Sequence, residues 1–154
     1  MKMLRFSAIA LAVGLLATPA AAQTRGGDIV VGLGSRLAFP DPHVTTSQPD
    51  TNVALHVFEA LTSLDEKSLP QPQLARSIDV SADGLTYKFT LRDGVKFHNG
   101  DVMSSADVLA SFERHRRVSP GKRVLDNVAS MAAPDKSTFI LTLKEPQPLF
   151  LELI

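Results

Sequence analysis

The sequence predicts an α/β chain whose middle forms an α+β subdomain, and three observations predict it. Leu85, Tyr87, Phe89 and Leu91 alternate with Thr86, Lys88, Thr90 and Arg92; Val53, Val57 and Leu61 recur at helical spacing; and Phe139, Leu141 and Leu143 alternate with Ile140, Thr142 and Lys144. Period-two alternation marks a strand with one buried and one wet face, whereas i, i+4, i+8 marks one face of a helix.

The N-terminus has the form of an export signal. Lys2 and Arg5 precede an uncharged run from Phe6 to Ala17, which leads into Thr18-Pro19-Ala20-Ala21-Ala22-Gln23. The run is shorter than the roughly 20 apolar residues that span a bilayer. Ala20 and Ala22 satisfy the small-x-small rule, so cleavage is expected after Ala22. A buried N-terminal helix would show a polar face, and this run has none. No cysteine is present, which excludes a lipid-anchored lipoprotein along with disulfides and thiolate metal sites.

After Gly26-Gly27 the run Ile29-Val30-Val31 predicts a strand over Asp28 to Leu33 with both faces buried. A polar loop follows from Gly34 to Pro49. Asp50 is placed to cap a helix over Thr51 to Leu61, with Ala54 and Phe58 beside the Val53, Val57, Leu61 stripe. Pro70 and Pro72 then hold the backbone extended. Next to the 85–91 strand, Asp93-Gly94 is expected to turn the chain into a hairpin partner bearing Val95 and Phe97, which Asn99-Gly100 ends. Ser104 with Asp107 reads as a capping box opening a helix over Ser105 to Arg116, Val108, Leu109 and Phe112 facing inward. At the end, Pro148 to Ile154 resembles the first turns of a helix without a cap. The sequence therefore reads as the front piece of a longer protein, its last apolar residues expected to meet no partner face.

Composition narrows the function. Removal of residues 1–22 takes away Lys2 and Arg5, leaving 14 basic against 16 acidic residues, a net charge of −2 on 132 residues. Nucleic-acid binding wants a strongly basic face, so no nucleic-acid partner is expected. The densest basic run, Arg114-His115-Arg116-Arg117, reads as a solvated helix end where cations suit the macrodipole. No nucleophile elbow or phosphate-cradling glycine loop is found, so no catalytic residue and no enzyme activity are expected. His43, His56, His98 and His115 lack the short spacings of a metal site, so neither metal ligands nor cofactor are expected.

Several pieces together carry a family resemblance. Ala75 to Ser77, then DGLTYKFTLRDGVKFHNGD at 83–101 and the Ala106-Asp107-Val108 helix start, resemble the signature of bacterial extracellular solute-binding proteins of family 5, the dipeptide, oligopeptide and nickel-type receptors. Pro40-Asp41-Pro42-His43 is similar to the family's Leu-Asp-Pro-His element, with Pro40 in place of Leu. Phe58-Glu59-Ala60-Leu61 followed by Leu64-Asp65 matches the segment before its paired prolines. The long motif itself reads as architecture, because its residues are turn formers and alternating core side chains.

The resemblance implies part of a bilobal periplasmic binding protein class II fold, with residues 1–22 a signal peptide and 23–154 the N-terminal part of the family domain. It implies capture of a peptide or other small solute in the periplasm and delivery to ABC permease subunits in the inner membrane, by a protein monomeric at full length. A nickel or other non-peptide receptor is the alternative, as is an exported interaction module without transport. The stretch after Asp-Pro-His lies near bound peptide in oligopeptide receptors, which puts Thr46, Ser47 and Gln48 forward as ligand contacts. With one wall of a two-lobed cleft, residues 23–154 alone are not expected to bind solute.

Overall fold

The computed structural model describes residues 26–34, 36–38 and 41–154. The export signal and its cleavage point lie outside these residues, as does Pro40. The chain divides into one unit ending at Gly32 and a second from Leu33 to Ile154.

Of the first unit, residues 26–32 are described, and they form no regular element. The strand expected over Asp28 to Leu33 is absent: Ile29 and Val30 are 90% and 96% exposed. A strand exists through its ladder partners, and among the described residues this run has none. The apolar run was thus a wrong sign of a buried strand.

The second unit is an α+β body around a four-stranded antiparallel sheet. Its elements are α1 (Gln48–Ala54), β1 (Thr62–Leu64), β2 (Pro70–Pro72), β3 (Ala75–Val80), β4 (Thr86–Leu91), α2 (Ser105–Val118), a 3-10 turn (Lys122–Leu125), β5 (Val128–Asp135), β6 (Thr138–Leu143) and α3 (Phe150–Leu153). Strand order is β3-β4-β6-β5, with β1 and β2 forming a separate antiparallel pair. The inner pair β4–β6 keeps one register, Tyr87 opposite Leu141 and Phe89 opposite Phe139. Both outer pairings slip, between Ala75 and Ser77 on β3 and at two places on β5.

One face of the sheet is the core. Tyr87, Phe89, Leu91, Phe139, Leu141 and Leu143 are all buried, as the two alternating patterns predict. Leu109 and Phe112 of α2 pack against them, joined by the buried Val108. Phe112 stacks on Phe139 with ring centroids 5.1 Å apart. The capping box forms: the Ser104 backbone N–H and hydroxyl donate to Asp107 Oδ2 at 2.8 and 2.7 Å. The start of α2 is tied to the β5–β6 turn, where the Ser105 N–H donates to the Lys136 carbonyl at 2.9 Å and its hydroxyl donates to the Asp135 carbonyl.

Three expectations are corrected. The hairpin partner of β4 is β3 rather than 95–97, and the turn is made one Asp-Gly earlier, at Asp83-Gly84. There the Leu85 N–H donates to Asp83 Oδ1 at 3.0 Å and Gly84 takes φ +71, a conformation that favours glycine. Residues 95–97 instead open an exposed loop closed by a single Lys96–Val102 bridge across Asn99-Gly100, and Phe97 is 45% exposed. The helix expected over Thr51 to Leu61 occupies Gln48–Ala54, with Ser47 rather than Asp50 at its N-cap. Past Ala54 the bonding tightens to i→i−3, the His56 and Val57 N–H groups donating to the Val53 and Ala54 carbonyls, and the Ala60 N–H donates to Gln73 Oε1 rather than to the carbonyl one helical turn back. Val57 and Phe58 are exposed in consequence. Finally, three of the C-terminal apolar residues do find partners: Phe150 is fully buried beside Tyr87 at 5.1 Å, and Leu151 and Ile154 pack on the same core, whereas Leu149 and Leu153 stay exposed as expected.

Candidate functional site

The segment 41–48 is organised by its own side chains. The Asp41 carbonyl accepts the Val44 and Thr45 N–H groups at 3.1 and 3.0 Å, and Asp41 Oδ1 accepts the His43 N–H at 2.9 Å. Thr45 Oγ1 accepts the Ser47 N–H and donates to Asp50 Oδ2, both at 3.1 Å. Asp50 Oδ1 accepts the Ala38 N–H at 3.0 Å. A short acceptor-rich side chain at each corner explains why Asp, Thr and Asp recur here. Asp50, expected to cap the helix, is instead 1% exposed and braces the loop ahead of it.

The candidate contacts Thr46, Ser47 and Gln48 fall on one short stretch. Thr46 and Gln48 are exposed and Ser47 is half-buried at the N-cap of α1. The Gln48 amide nitrogen donates to Asn52 Oδ1 at 2.9 Å, which holds the side chain along the helix. Thr46 is exposed in the stretch between the 42–44 turn and α1.

Sequence reasoning missed what fastens this segment. Arg114 of α2 donates in parallel to Asp41 Oδ1 and Oδ2, at 3.0 and 2.5 Å, the planar fork matching a carboxylate. The same Arg114 Nη1 lies 2.9 Å from His43 Nδ1, and His43 Nε2 lies 3.3 Å from Ser111 Oγ. His115 meets the His43 ring edge-on, with centroids 5.4 Å apart, and its Nε2 is buried without a partner among the described residues. The basic run is thus not uniformly a solvated helix end. Arg116 and Arg117 are exposed, whereas Arg114 and His115 are turned to the loop. The signal available was an acidic turn residue and an arginine on a helix, but 73 positions separate them.

The electrostatics follow from these contacts. The Arg114 guanidinium holds the Asp41 carboxyl below its ordinary range, helped by the His43 N–H, and Asp41 raises Arg114 in return. Burial pushes His43 down, aided by His115 and Arg114 and opposed by Asp41. Burial lowers His115 as well. Among the described residues no group of three or more His, Cys, Asp or Glu is arranged to hold a metal ion. A separate open cleft of about 370 Å³ between Leu91, Arg92, Gly94, Met103, Ser104 and Lys136 includes none of the three candidate contacts.

The model of the family described as bacterial extracellular solute-binding proteins, family 5 Middle, matches residues 70–154. The chain belongs to this family. Its similarity reaches beyond that stretch. The Sinorhizobium fredii protein named "Probable peptide ABC transporter periplasmic-binding protein y4tO" is 39% identical over 111 residues, 71% of this chain and 21% of that protein. The glutathione-binding protein GsiB of Salmonella typhi is 32% identical over 151 residues, 96% of this chain and 29% of GsiB. Among solved structures, NikZ from Campylobacter jejuni in complex with Ni(L-His) matches with a TM-score of 0.59 at 36% identity, over 63% of this chain and 20% of NikZ. The chain therefore spans less than a third of the length of these family 5 relatives. The α+β body described above is a piece of the fold they share.

Proposed function

We propose that this family 5 protein is the substrate-binding component of a peptide-type ABC importer, which captures a small peptide in the periplasm and delivers it to permease subunits in the inner membrane. The family match over residues 70–154 carries the reading, and the names of y4tO and GsiB, a peptide and a glutathione binding protein, favour peptides as the solute class. Residues 1–22 act as a signal peptide removed near Ala22, and residues 23–154 supply the N-terminal part of a bilobal domain that closes over the solute. Thr46, Ser47 and Gln48 contribute hydroxyl and amide groups to the peptide backbone. The protein works as a monomer and catalyses no reaction.

Titration calorimetry of the full-length exported protein tests this, with glutathione, trialanine and Ni(L-His) as probes. Micromolar or tighter binding of a peptide probe supports the reading. A second reading, a receptor for a metal chelate, is favoured by the likeness to NikZ; Ni(L-His) binding without peptide binding would establish it and defeat the first.

A further inference from the structure

We propose that Arg114 and His43 form a proton-sensitive clamp that holds the segment from Asp41 to Gln48 on α2, and that solute capture at this segment requires the clamp closed. The clamp stands on its own geometry; its link to capture rests on the reading of Thr46, Ser47 and Gln48 as solute contacts.

The charge state of His43 follows from its neighbours. A guanidinium is a donor only, so the 2.9 Å approach of Arg114 Nη1 to His43 Nδ1 requires a lone pair on Nδ1. A neutral imidazole with its lone pair there carries the proton on Nε2, which faces the Ser111 hydroxyl at 3.3 Å. Protonating Nδ1 sets an N–H against an N–H and a cation against a cation. The contact cannot survive that change.

The groups facing His43 come from two elements. On its own segment, the Asp41 carboxylate attracts an imidazolium; on α2, Arg114 repels one and His115 repels it once charged. Burial of the ring is the largest influence against a proton, His115 and Arg114 add to it, and Asp41, itself engaged by both arms of Arg114, is the smallest and opposes them. His43 is therefore held neutral near pH 7 and gains a proton only as pH falls below its ordinary value of 6.5.

Opening the clamp reaches the candidate contacts through a short chain of bonds. Asp41 is the residue gripped by Arg114, and its carbonyl also holds the Val44 and Thr45 N–H groups. Thr45 Oγ1 in turn holds the Ser47 N–H. Arg114 is thus a positioning residue, three hydrogen-bond links from Ser47, and its partner His43 makes that positioning depend on pH.

Hydrogen exchange of the full-length protein tests the clamp directly. Protection of the 41–48 amides, corrected for the intrinsic pH dependence of exchange, is measured at pH 7.5 and 5.5 in the wild type, Arg114→Gln and His43→Asn, the last keeping an acceptor that does not titrate. We expect wild-type protection to fall by about tenfold between the two pH values, the scale of one hydrogen bond to a charged group. Arg114→Gln should be poorly protected at both, and His43→Asn protected equally at both. Equal wild-type protection at the two pH values, or Arg114→Gln protected like the wild type, overturns the clamp. Unchanged protection of β4 and β6 certifies each variant as folded; should Arg114→Gln lose it, the His43→Asn comparison decides alone.

Calorimetry with glutathione and trialanine at the same pH values tests the coupling. Parallel loss of affinity in the wild type at pH 5.5, absent in His43→Asn, supports it. If Gln48→Ala and Thr46→Ala weaken binding while Arg114→Gln and pH do not, the coupling is overturned and the contact reading stands. If the two alanine variants bind as the wild type does, the contact reading fails, the coupling falls with it, and the exchange result still judges the clamp.

Discussion

Phe89 of β4 and Phe139 of β6 face each other directly across the antiparallel ladder, both fully buried, with ring centroids 5.9 Å apart. Phe112 stacks on Phe139. The contact joins the two inner strands to α2, so three elements share one aromatic cluster.

Replacing Phe89 by Ala should therefore destabilise the protein by about 3–5 kcal/mol, the range for truncating a buried aromatic. Lys88, one residue earlier on the wet face, should tolerate Ala with almost no effect. Urea titration of the two variants checks the register; equal effects would contradict it.

The entry to α2 offers a second test. Asp107→Ala removes the acceptor of the Ser104 N–H and hydroxyl and should cost about 0.5–2 kcal/mol, as loss of a helix cap does. An unshifted thermal midpoint would show that the capping box adds nothing here.

Asp50→Ala strips the acceptors of the Ala38 N–H and the Thr45 hydroxyl at a site almost closed to water. We expect a loss of about 1–3 kcal/mol, the penalty of leaving buried donors unsatisfied. Asp50→Asn, which keeps one acceptor oxygen, should lose less, and the ordering of the two variants by chemical denaturation is the measurement.

Stability should also depend on pH with a defined sign. The folded state lowers His43 and His115 below 6.5, so the unfolded chain binds more protons in that window and stability rises with pH there. The histidine contribution is full above 6.5 and is lost as pH falls from that value through the folded ones. Asp41 and Asp135 are lowered from 3.8, so theirs persists above 3.8 and fades at still lower pH. Urea midpoints from pH 8 to pH 3 should show the upper decline, and His43→Asn should diminish it.

Mass spectrometry of the exported protein should find its N-terminus at Gln23 or within a residue or two. Intact Met1 on cytoplasmic protein would defeat the export reading.

Much of the sheet core and α2 was legible because period and capping are local properties. The alternations at 87–91 and 139–143 name the buried side chains correctly, with Leu85 only half-buried ahead of β4, and Ser104 with Asp107 marks the start of α2. Pairing was less legible, since alternation says which face is buried and not which strand lies beside it. Asp-Gly pairs stand at both ends of β4, and only tertiary contacts decide that the first makes the hairpin. β3 and β5 escaped because their outer position and slipped registers leave mixed burial rather than clean alternation. At the candidate site, Thr46, Ser47 and Gln48 came from resemblance alone. Their fastening to α2 was invisible because nothing local links Asp41 to Arg114.

The slipped registers of the outer strands bear on how this sheet behaves among copies of itself. A long regular edge is a template on which a neighbouring chain can build a further strand. Here the unbroken ladder is confined to the inner pair, while β3 and β5 shift their pairing within a few residues. Such irregularities disturb the rows of donors and acceptors at the sheet margins, and Pro134 within β5 offers no N–H. Among the described residues the margins of the sheet are thus irregular, which makes them poor templates for a strand from a neighbouring copy.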